Sequence, residues 1–155
     1  MNPDRPAPSE RTSAETTGTA MTGTAPAPQA EPPGALAPVA LTVDMAAILA
    51  YAEITGDFNP LHVDPAFAAT TPMGRPIAHG TLSMNLIWQS IAATVGGTRA
   101  GRSEIDIRFA RPVFVGDRIE AGGRAIEGAA GRYDVWVRRD DGTHVIEGTA
   151  QIPAG

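Results

Sequence analysis

The stretch from Gly56 to Gly80, GDFNPLHVDPAFAATTPMGRPIAHG, decides how this chain folds. It holds two of the three histidines, and Asp57 lies five residues before the first of them, His62. It then leads into the longest apolar run of the protein, which begins at Gly80. This order predicts a loop that carries a functional site, followed by a buried helix that the rest of the chain and a partner subunit cover.

The apolar run from Gly80 to Val95, GTLSMNLIWQSIAATV, predicts that central helix. The few polar residues that interrupt it carry no charge: Thr81, Ser83, Asn85, Gln89 and Ser90. A helix that is apolar on nearly every side is surrounded by protein. Gly96 and Gly97 predict its end.

Another helix is predicted before the loop, from Thr42 to Ile54, with Thr42 as its cap. On a straight continuation of this helix, Asp57 and His62 would point roughly 140° apart. Pro60 prevents such a continuation. We therefore expect an irregular segment that directs both side chains toward one point.

The remainder of the chain has the pattern of strands. Between Ser103 and Val115 apolar residues alternate with charged ones, and Pro112 predicts a bend or a sheet edge there. Turn signals such as Asp141-Gly142 separate the later strands. The predicted strands cover residues 103–115, 118–127, 133–139 and 143–152. The fold class is therefore α+β, with an antiparallel sheet of three or four strands wrapped around a long central helix.

The first part of the chain differs in composition from the rest. Residues 1–35 contain no Val, Ile, Phe, Tyr or Trp. Such a segment buries too little apolar surface to offset the entropy of ordering it. We predict a disordered Ala/Pro/Thr-rich tail over residues 1–38 and one folded domain over residues 39–155. A solvated tail and a segment that docks a partner are the two readings of residues 1–38.

Composition excludes several classes of function. The 155 residues carry 12 Lys+Arg against 17 Asp+Glu, a net charge of −5, so we expect no nucleic-acid partner. The absence of cysteine excludes a thiol nucleophile and a zinc site with cysteine ligands. No apolar run reaches the roughly 20 residues of a membrane span. The first residues lack the apolar core of a secretory signal, so we expect no membrane contact and a cytoplasmic location.

The loop carries groups that can move protons. A carboxylate at Asp57 and an imidazole at His62 can hold a water molecule between them near neutral pH. The helix that begins at Gly80 offers unpaired backbone N–H groups, which stabilise an oxyanion or enolate. Together these parts suit the addition of water to, or its removal from, a carbon next to a thioester carbonyl. An Asp/His pair with this spacing is, on its own, more often structural than catalytic.

Three segments resemble one family. The sequence YAEITGDFNPLHVDPAFA (residues 51–68) closely resembles the signature of MaoC-like dehydratases, the (R)-specific enoyl-CoA hydratases. GRPIAHGTLSM (74–84) is similar to the segment that leads into that family's central helix, and FARPVFVGDRIEA (109–121) to its following strand. The resemblance covers residues 40–152. It implies a hot-dog fold, a long helix wrapped by an antiparallel sheet, and a homodimer.

The resemblance also implies roles for individual residues. It places the catalytic dyad on Asp57 and His62 and the oxyanion donor on the backbone N–H of Gly80. The implied reaction is the reversible syn hydration of a trans-2-enoyl thioester to the (R)-3-hydroxyacyl thioester. Asn59 matches a family position and is expected to fix the loop and orient the dyad. His79 either braces the loop or contacts the substrate.

The implied substrate is an acyl-CoA or acyl-carrier-protein thioester, and the family implies no cofactor and no metal. One departure concerns Trp88, where many members carry a small polar residue. Trp88 either shortens the acyl pocket or fills the core. Four arginines are either ligands for the phosphates of the substrate or exposed charges on the strands: Arg99, Arg102, Arg108 and Arg111.

Two rival functions remain open on the sequence. A hot-dog acyl-CoA thioesterase would share the fold but cleave a saturated thioester. A non-catalytic hot-dog subunit of a larger acyl-processing complex would need neither Asp57 nor His62. Asp57, His62, Asp64 and His79 could also be imagined as metal ligands, although Asp64 is better explained as the cap of a short helical turn at Pro65.

Overall fold

A five-stranded sheet and one long helix form the frame of the protein. The computed structural model describes residues 33–155. In chain order the elements are β1 (Ala35–Thr42), α1 (Met45–Thr55), α2 (Pro60–Val63), α3 (Pro65–Ala69), α4 (Gly80–Val95), α5 (Gly97–Ala100), β2 (Glu104–Phe109), β3 (Arg118–Ala125), β4 (Arg132–Arg139) and β5 (His144–Gln151).

The strands form one antiparallel sheet in the order β1-β3-β4-β5-β2. The turn between β4 and β5 contains Gly142 with φ of 82°, a left-handed conformation that glycine adopts without strain. The predicted Asp141-Gly142 hairpin is therefore confirmed. The sheet has five strands rather than three or four, and β1 and β2 are its edges.

Helix α4 has the predicted bounds and packs against β1, β3 and β4. The face toward the sheet buries Ser83, Leu86, Ile87, Ser90 and Ile91, whose spacing of three and four residues marks one side of a helix. The opposite side, with Asn85 and Trp88, is only half buried and Gln89 is exposed. The single chain thus buries only one face of α4. The prediction that α4 is buried on nearly all sides is therefore not met by one copy of the chain.

The predicted start of the folded domain is wrong by four residues, because β1 begins at Ala35 rather than after residue 38. Leu36 is buried in the core. The Ala37 N–H donates to Thr94 Oγ1 (2.8 Å), and Ser90 Oγ donates to the Ala37 carbonyl (2.6 Å). These partners lie more than 50 residues away in the chain, so local composition could not reveal the strand. The tail prediction for residues 1–32 lies outside the described residues.

The N-terminal end of α1 also differs from the prediction. Thr42 is the last residue of β1, and the cap of α1 is Asp44, whose carboxylate accepts a hydrogen bond from the Ala47 N–H at 2.7 Å. Gly56 ends the helix with φ of 70°, as expected. The chain then becomes helical again at Pro60 rather than staying irregular. Proline is well tolerated there because the first position of a helix needs no N–H partner.

The strand predicted over residues 103–115 ends at Phe109. Its continuation leaves the sheet at Ala110, whose N–H bonds to the Val145 carbonyl, and Pro112 follows. The prediction of an edge strand is confirmed for β2. Asp64 caps α3 by accepting from the backbone N–H groups of Ala66 and Phe67, as predicted. In the part of the chain that the structure describes, no helix is long and apolar enough to cross a membrane.

Candidate active site

The short helix α2 positions His62. Its Nδ1 lies 2.8 Å from the carbonyl oxygen of Ile77, fifteen residues later in the chain. A carbonyl oxygen can only accept a hydrogen bond, so Nδ1 carries the hydrogen. In the neutral ring the other nitrogen, Nε2, therefore keeps a free lone pair. The fold thus selects the tautomer of His62 that can accept a proton at Nε2.

The segment between α1 and α2 positions Asp57. The N–H of Asn59 donates to Asp57 Oδ1 at 3.2 Å, and Asn59 Oδ1 in turn accepts from the Leu61 N–H at 3.0 Å. Asn59 is therefore both the cap of α2 and a support for the Asp57 carboxylate. The Asp57 side chain is 53% exposed, so solvent or a ligand reaches it freely.

His79 precedes α4 and is only 2% exposed. Its Nε2 donates to the backbone carbonyl of Asp57 at 2.9 Å. Its ring lies against that of His62, with 4.0 Å between centroids, and 5.2 Å from that of Tyr51. Asp57 Oδ2 is 3.9 Å from the same Nε2, too far to compete with the backbone bond. His79 therefore holds the Asp57 segment and the His62 ring together.

The three groups converge on one point. A carboxylate oxygen of Asp57 and one ring nitrogen each of His62 and His79 lie within 4.8 Å of one another. Gly80 follows His79 directly, and it lines a cavity of about 290 Å³ together with His62. The structure thus brings together five of the six predicted site residues: Asp57, Asn59, His62, His79 and Gly80.

Gly80 is the first residue of α4, and it is exposed. Within residues 33–155, no side chain caps this helix end by a hydrogen bond. The ring of Phe109 covers the Gly80 Cα so closely that a Cβ built there would lie 3.0 Å from Phe109 Cε1. Gly80 lines the cavity, so the N-terminus of α4, with its unpaired backbone N–H groups and positive dipole end, borders the cavity with no side chain at Gly80 in the way.

Trp88, the sixth predicted residue, lies in a different cleft of about 580 Å³, lined also by Asn85, Gln89 and Ala92. This cleft lies along the face of α4 that the sheet leaves uncovered. Trp88 stands five residues after Ser83, which lines the smaller cavity, and five residues on a helix turn the side chain roughly 140° away. A contact between Trp88 and the substrate stays a prediction.

A metal ion would find three possible donors here, because Asp57, His62 and His79 approach one another within 4.8 Å. Two of the imidazole nitrogens, however, face backbone carbonyl oxygens: His62 Nδ1 and His79 Nε2. Both carry hydrogen and are unavailable as ligands. Asp64, the fourth suggested ligand, is occupied as the cap of α3. That the site works without a metal stays a prediction.

Of the four arginines singled out in the sequence, Arg111 lines the 290 Å³ cavity. Arg99 donates to the Pro153 carbonyl, at 3.1 Å from Nε and 2.8 Å from Nη2. Arg108 forms an ion pair with Glu147. The hydrogen bond from Arg108, and after it the one from His144, lowers the pKa of the Glu147 carboxyl. Arg111 is therefore the arginine best placed to attract an anionic ligand to the cavity.

Two residues contribute to the site without having been predicted. The Ile77 carbonyl fixes the tautomer of His62, and nothing in the sequence distinguishes one backbone carbonyl from another. Ser83 lines the cavity beside Gly80, and its Oγ is buried with no hydrogen-bond partner among the described residues. The available signal was the position of this serine, three residues after Gly80 and hence on the same helix face.

Comparison with known proteins agrees with this geometry. The family model described as MaoC like domain matches residues 26–141. The chain therefore belongs to the MaoC-like domain family, and the family prediction is confirmed.

Among curated proteins, the chain is 44% identical over 80 residues to an (R)-specific enoyl-CoA hydratase of Aeromonas caviae. That alignment covers 49% of this chain and 57% of the relative. It is 37% identical over 78 residues to a 3-hydroxybutyryl-CoA dehydratase of Methylorubrum extorquens, covering 50% of each. The chain thus spans little more than half the length of the curated relatives it matches.

Among solved structures, the (R)-hydratase from A. caviae matches with a TM-score of 0.66 and 30% identity, over 82% of this chain and all of that one. An R-hydratase from Pseudomonas aeruginosa matches with a TM-score of 0.65 and 30% identity, over 77% of this chain and 80% of that one. The predicted hot-dog fold is confirmed.

Proposed function

We propose that this protein is an (R)-specific enoyl thioester hydratase, which also acts in reverse as a 3-hydroxyacyl thioester dehydratase. The observation that carries the proposal is the convergence of the Asp57 carboxylate and the His62 imidazole within 4.8 Å, beside the open N-terminus of α4. The similarity to an (R)-specific enoyl-CoA hydratase and a 3-hydroxybutyryl-CoA dehydratase supports the same reaction.

In the hydration direction, a water molecule lies between the Asp57 carboxylate and Nε2 of His62. Nε2 takes a proton from the water as the water oxygen bonds to C3 of the enoyl group. The C2–C3 π electrons move toward the thioester carbonyl, and the dyad then returns a proton to C2 from the same face. Water and proton therefore add syn, and the dyad regains its starting protonation.

Gly80 supplies the electrostatic part of the reaction. Its backbone N–H at the tip of α4 donates to the thioester oxygen, which gains negative charge as the enolate forms. A donor of this kind typically contributes about 3 kcal/mol to lowering the barrier. His79 and Asn59 act through the groups they hold, by keeping Asp57 and His62 in place.

The substrate is a thioester of coenzyme A or of acyl-carrier protein. Arg111 at the cavity suits the phosphates that both carriers have. We also propose a homodimer, because the uncovered face of α4, the edge strand β2 and the exposed Asp57 carboxylate are all features that a second copy would cover.

The test is hydration of crotonyl-CoA and of longer enoyl thioesters on both carriers, followed by loss of the enoyl absorbance. We expect activity in the wild type and a fall of at least about 10³-fold in kcat for Asp57→Asn and His62→Ala. Asp106→Asn and His144→Ala are the matched controls, since both residues line a different cleft on the sheet, and they should keep activity.

A wild type inert on every chain length and carrier would contradict the proposal, as would dyad variants as active as the controls. A thiol-trapping dye applied to saturated acyl-CoA separates this reaction from that of a thioesterase, which would release free thiol. Activity that appears only with a second, different protein chain would indicate a non-catalytic subunit instead.

A further inference from the structure

Ser83 lies in the first turn of α4 and is 2% exposed. Its Oγ is fully buried and has no hydrogen-bond partner among residues 33–155. Buried hydroxyl groups in proteins are nearly always hydrogen-bonded, because an unpaired one loses its bonds to water without compensation. A ligand or a bound water molecule is therefore expected to complete the bonding of Ser83.

Two other hydroxyl groups of α4, one buried and one half-buried, show how such groups are ordinarily hydrogen-bonded. Ser90 Oγ donates to the Ala37 carbonyl at 2.6 Å. Thr94 Oγ1 donates to the Ser90 carbonyl, four residues earlier, at 2.7 Å. Ser83 could bond in the same way to the carbonyl of His79, four residues earlier, and it does not. Its hydroxyl is instead free to serve the cavity.

The cavity that Ser83 lines is the 290 Å³ cavity that His62 and Gly80 also line. Ser83 follows Gly80 by three residues and so shares its face of the helix. Helical side chains tilt toward the N-terminus, which directs Oγ of Ser83 back toward the Gly80 end. The facing side chains of this cavity are mostly apolar: Phe109, Val113, Val145 and Ile146.

We infer that the Ser83 hydroxyl is a second hydrogen-bond donor to the thioester carbonyl oxygen, beside the N–H of Gly80. This inference rests on the proposed function and names a further substrate-binding group of the same site. A carbonyl oxygen has two lone pairs and can accept from both donors. As the enolate forms, the charge on this oxygen grows, so the Ser83 bond strengthens in the transition state and acts on kcat.

The first experiment compares Ser83→Ala with Ser83→Thr, which keeps a hydroxyl, and with Ser90→Ala as the matched control in the same helix. We expect kcat for an enoyl thioester to fall about 10²-fold in Ser83→Ala, with KM changed by less than about threefold. Ser83→Thr should recover at least about a tenth of the wild-type kcat. Ser83→Ala should keep its Tm, whereas Ser90→Ala should lower Tm and keep kcat.

The second experiment measures binding without turnover. A saturated butyryl-CoA with a ¹³C-labelled thioester carbonyl is bound to each variant, and its carbonyl stretching frequency is recorded. Two donors lower this frequency in the wild type, and the loss of one in Ser83→Ala should raise it. Ser90→Ala should leave the frequency unchanged.

The inference is overturned if an active wild type and Ser83→Ala share the same kcat and carbonyl frequency. A fall in kcat that comes with a lower Tm and an unchanged frequency would also overturn it, because a structural hydroxyl or a bound water molecule would then explain Ser83. Both of these results leave the proposed hydratase function intact. A wild type inert on every enoyl thioester would remove the function and this inference together.

Discussion

The imidazole rings of His62 and His79 pack against each other at a tilt, with 4.0 Å between their centroids and 33° between their planes. His79 also donates a hydrogen bond to the backbone of Asp57. One buried side chain thus restrains both members of the proposed dyad. Asp57 is itself exposed and lies between α1 and α2, and the hydrogen bond from the buried His79 joins that segment to the core.

Replacing His79 should therefore impair activity through geometry. We expect His79→Leu to lower kcat about 10–100-fold, because a displacement of about 1 Å at a reacting group has an effect of that size. His79→Gln keeps a donor near the Asp57 carbonyl and should retain more of the activity. Hydrogen exchange of residues 57–63 should speed up in His79→Leu. Unchanged exchange and unchanged kcat would contradict this role.

Gly80→Ala should separate stability from activity. Alanine is the better helix former by about 1 kcal/mol in a helix interior, an upper bound for the first residue of α4, and the φ of Gly80 is not positive. Its methyl group would meet the half-exposed ring of Phe109, which can move aside. We expect Tm to stay the same or rise, and kcat/KM to fall at least about tenfold because the methyl obstructs the N–H. Full activity at unchanged Tm would count against an oxyanion site at Gly80.

Asn59 should act through its side-chain oxygen. Asn59→Ala removes the cap of α2 and should destabilise the protein by about 1 kcal/mol and lower kcat. Asn59→Asp keeps an acceptor for the Leu61 N–H and should retain stability and most of the activity. Asp64→Ala, which removes the cap of α3, is the control for stability loss alone. Equal defects in Asn59→Asp and Asn59→Ala would show that the amide nitrogen is needed.

Tyr133 ties the start of the described chain to the sheet. It is 1% exposed, and its hydroxyl donates to the Pro33 carbonyl at 2.5 Å. Burial raises the pKa of Tyr133 above its usual value, partly offset by the charge of Arg99. We expect Tyr133→Phe to lower the free energy of unfolding by about 1 kcal/mol at neutral pH.

The same pKa shift predicts how this difference changes with pH. A raised pKa means that folding favours the neutral hydroxyl, so the wild type loses stability as pH rises through the folded pKa. The advantage of the wild type over Tyr133→Phe should therefore shrink above pH of about 10. The urea unfolding midpoints of the wild type and of Tyr133→Phe, recorded at increasing pH, measure this difference in stability. Tyr51→Phe is the control. The chain has no lysine, so no lysine amine contributes to the change in this range.

Chelation should leave the reaction unaffected. The nitrogens of His62 and His79 that bond to carbonyl groups cannot bind a metal, and the proposed steps need none. After dialysis against EDTA, activity on an enoyl thioester should match that of the untreated protein. Loss of activity that returns on adding a divalent cation would instead make Asp57, His62 and His79 a metal site.

Local sequence was sufficient where one element depends on its own residues. The bounds of α4 follow from an apolar run between glycines, and Asp64 was identified as the cap of α3 from its position before Pro65. Alternation and turn residues located the later strands to within a few residues. The motif around Asp57 and His62 was sufficient to identify the family, because the spacing of its residues is set within one short stretch of chain.

Tertiary structure decided the features that depend on distant partners. β1 begins at Ala35 because it pairs with β3 and bonds to α4. Ser83 and Trp88 lie on different sides of one apolar helix, and the packing of the sheet decides which cavity each of them lines. The bonds that orient the site join residues 15 and 22 positions apart, His62 to Ile77 and His79 to Asp57. Periodicity and motif spacing describe neighbours along the chain, whereas these contacts form only once the sheet and α4 have brought distant segments together.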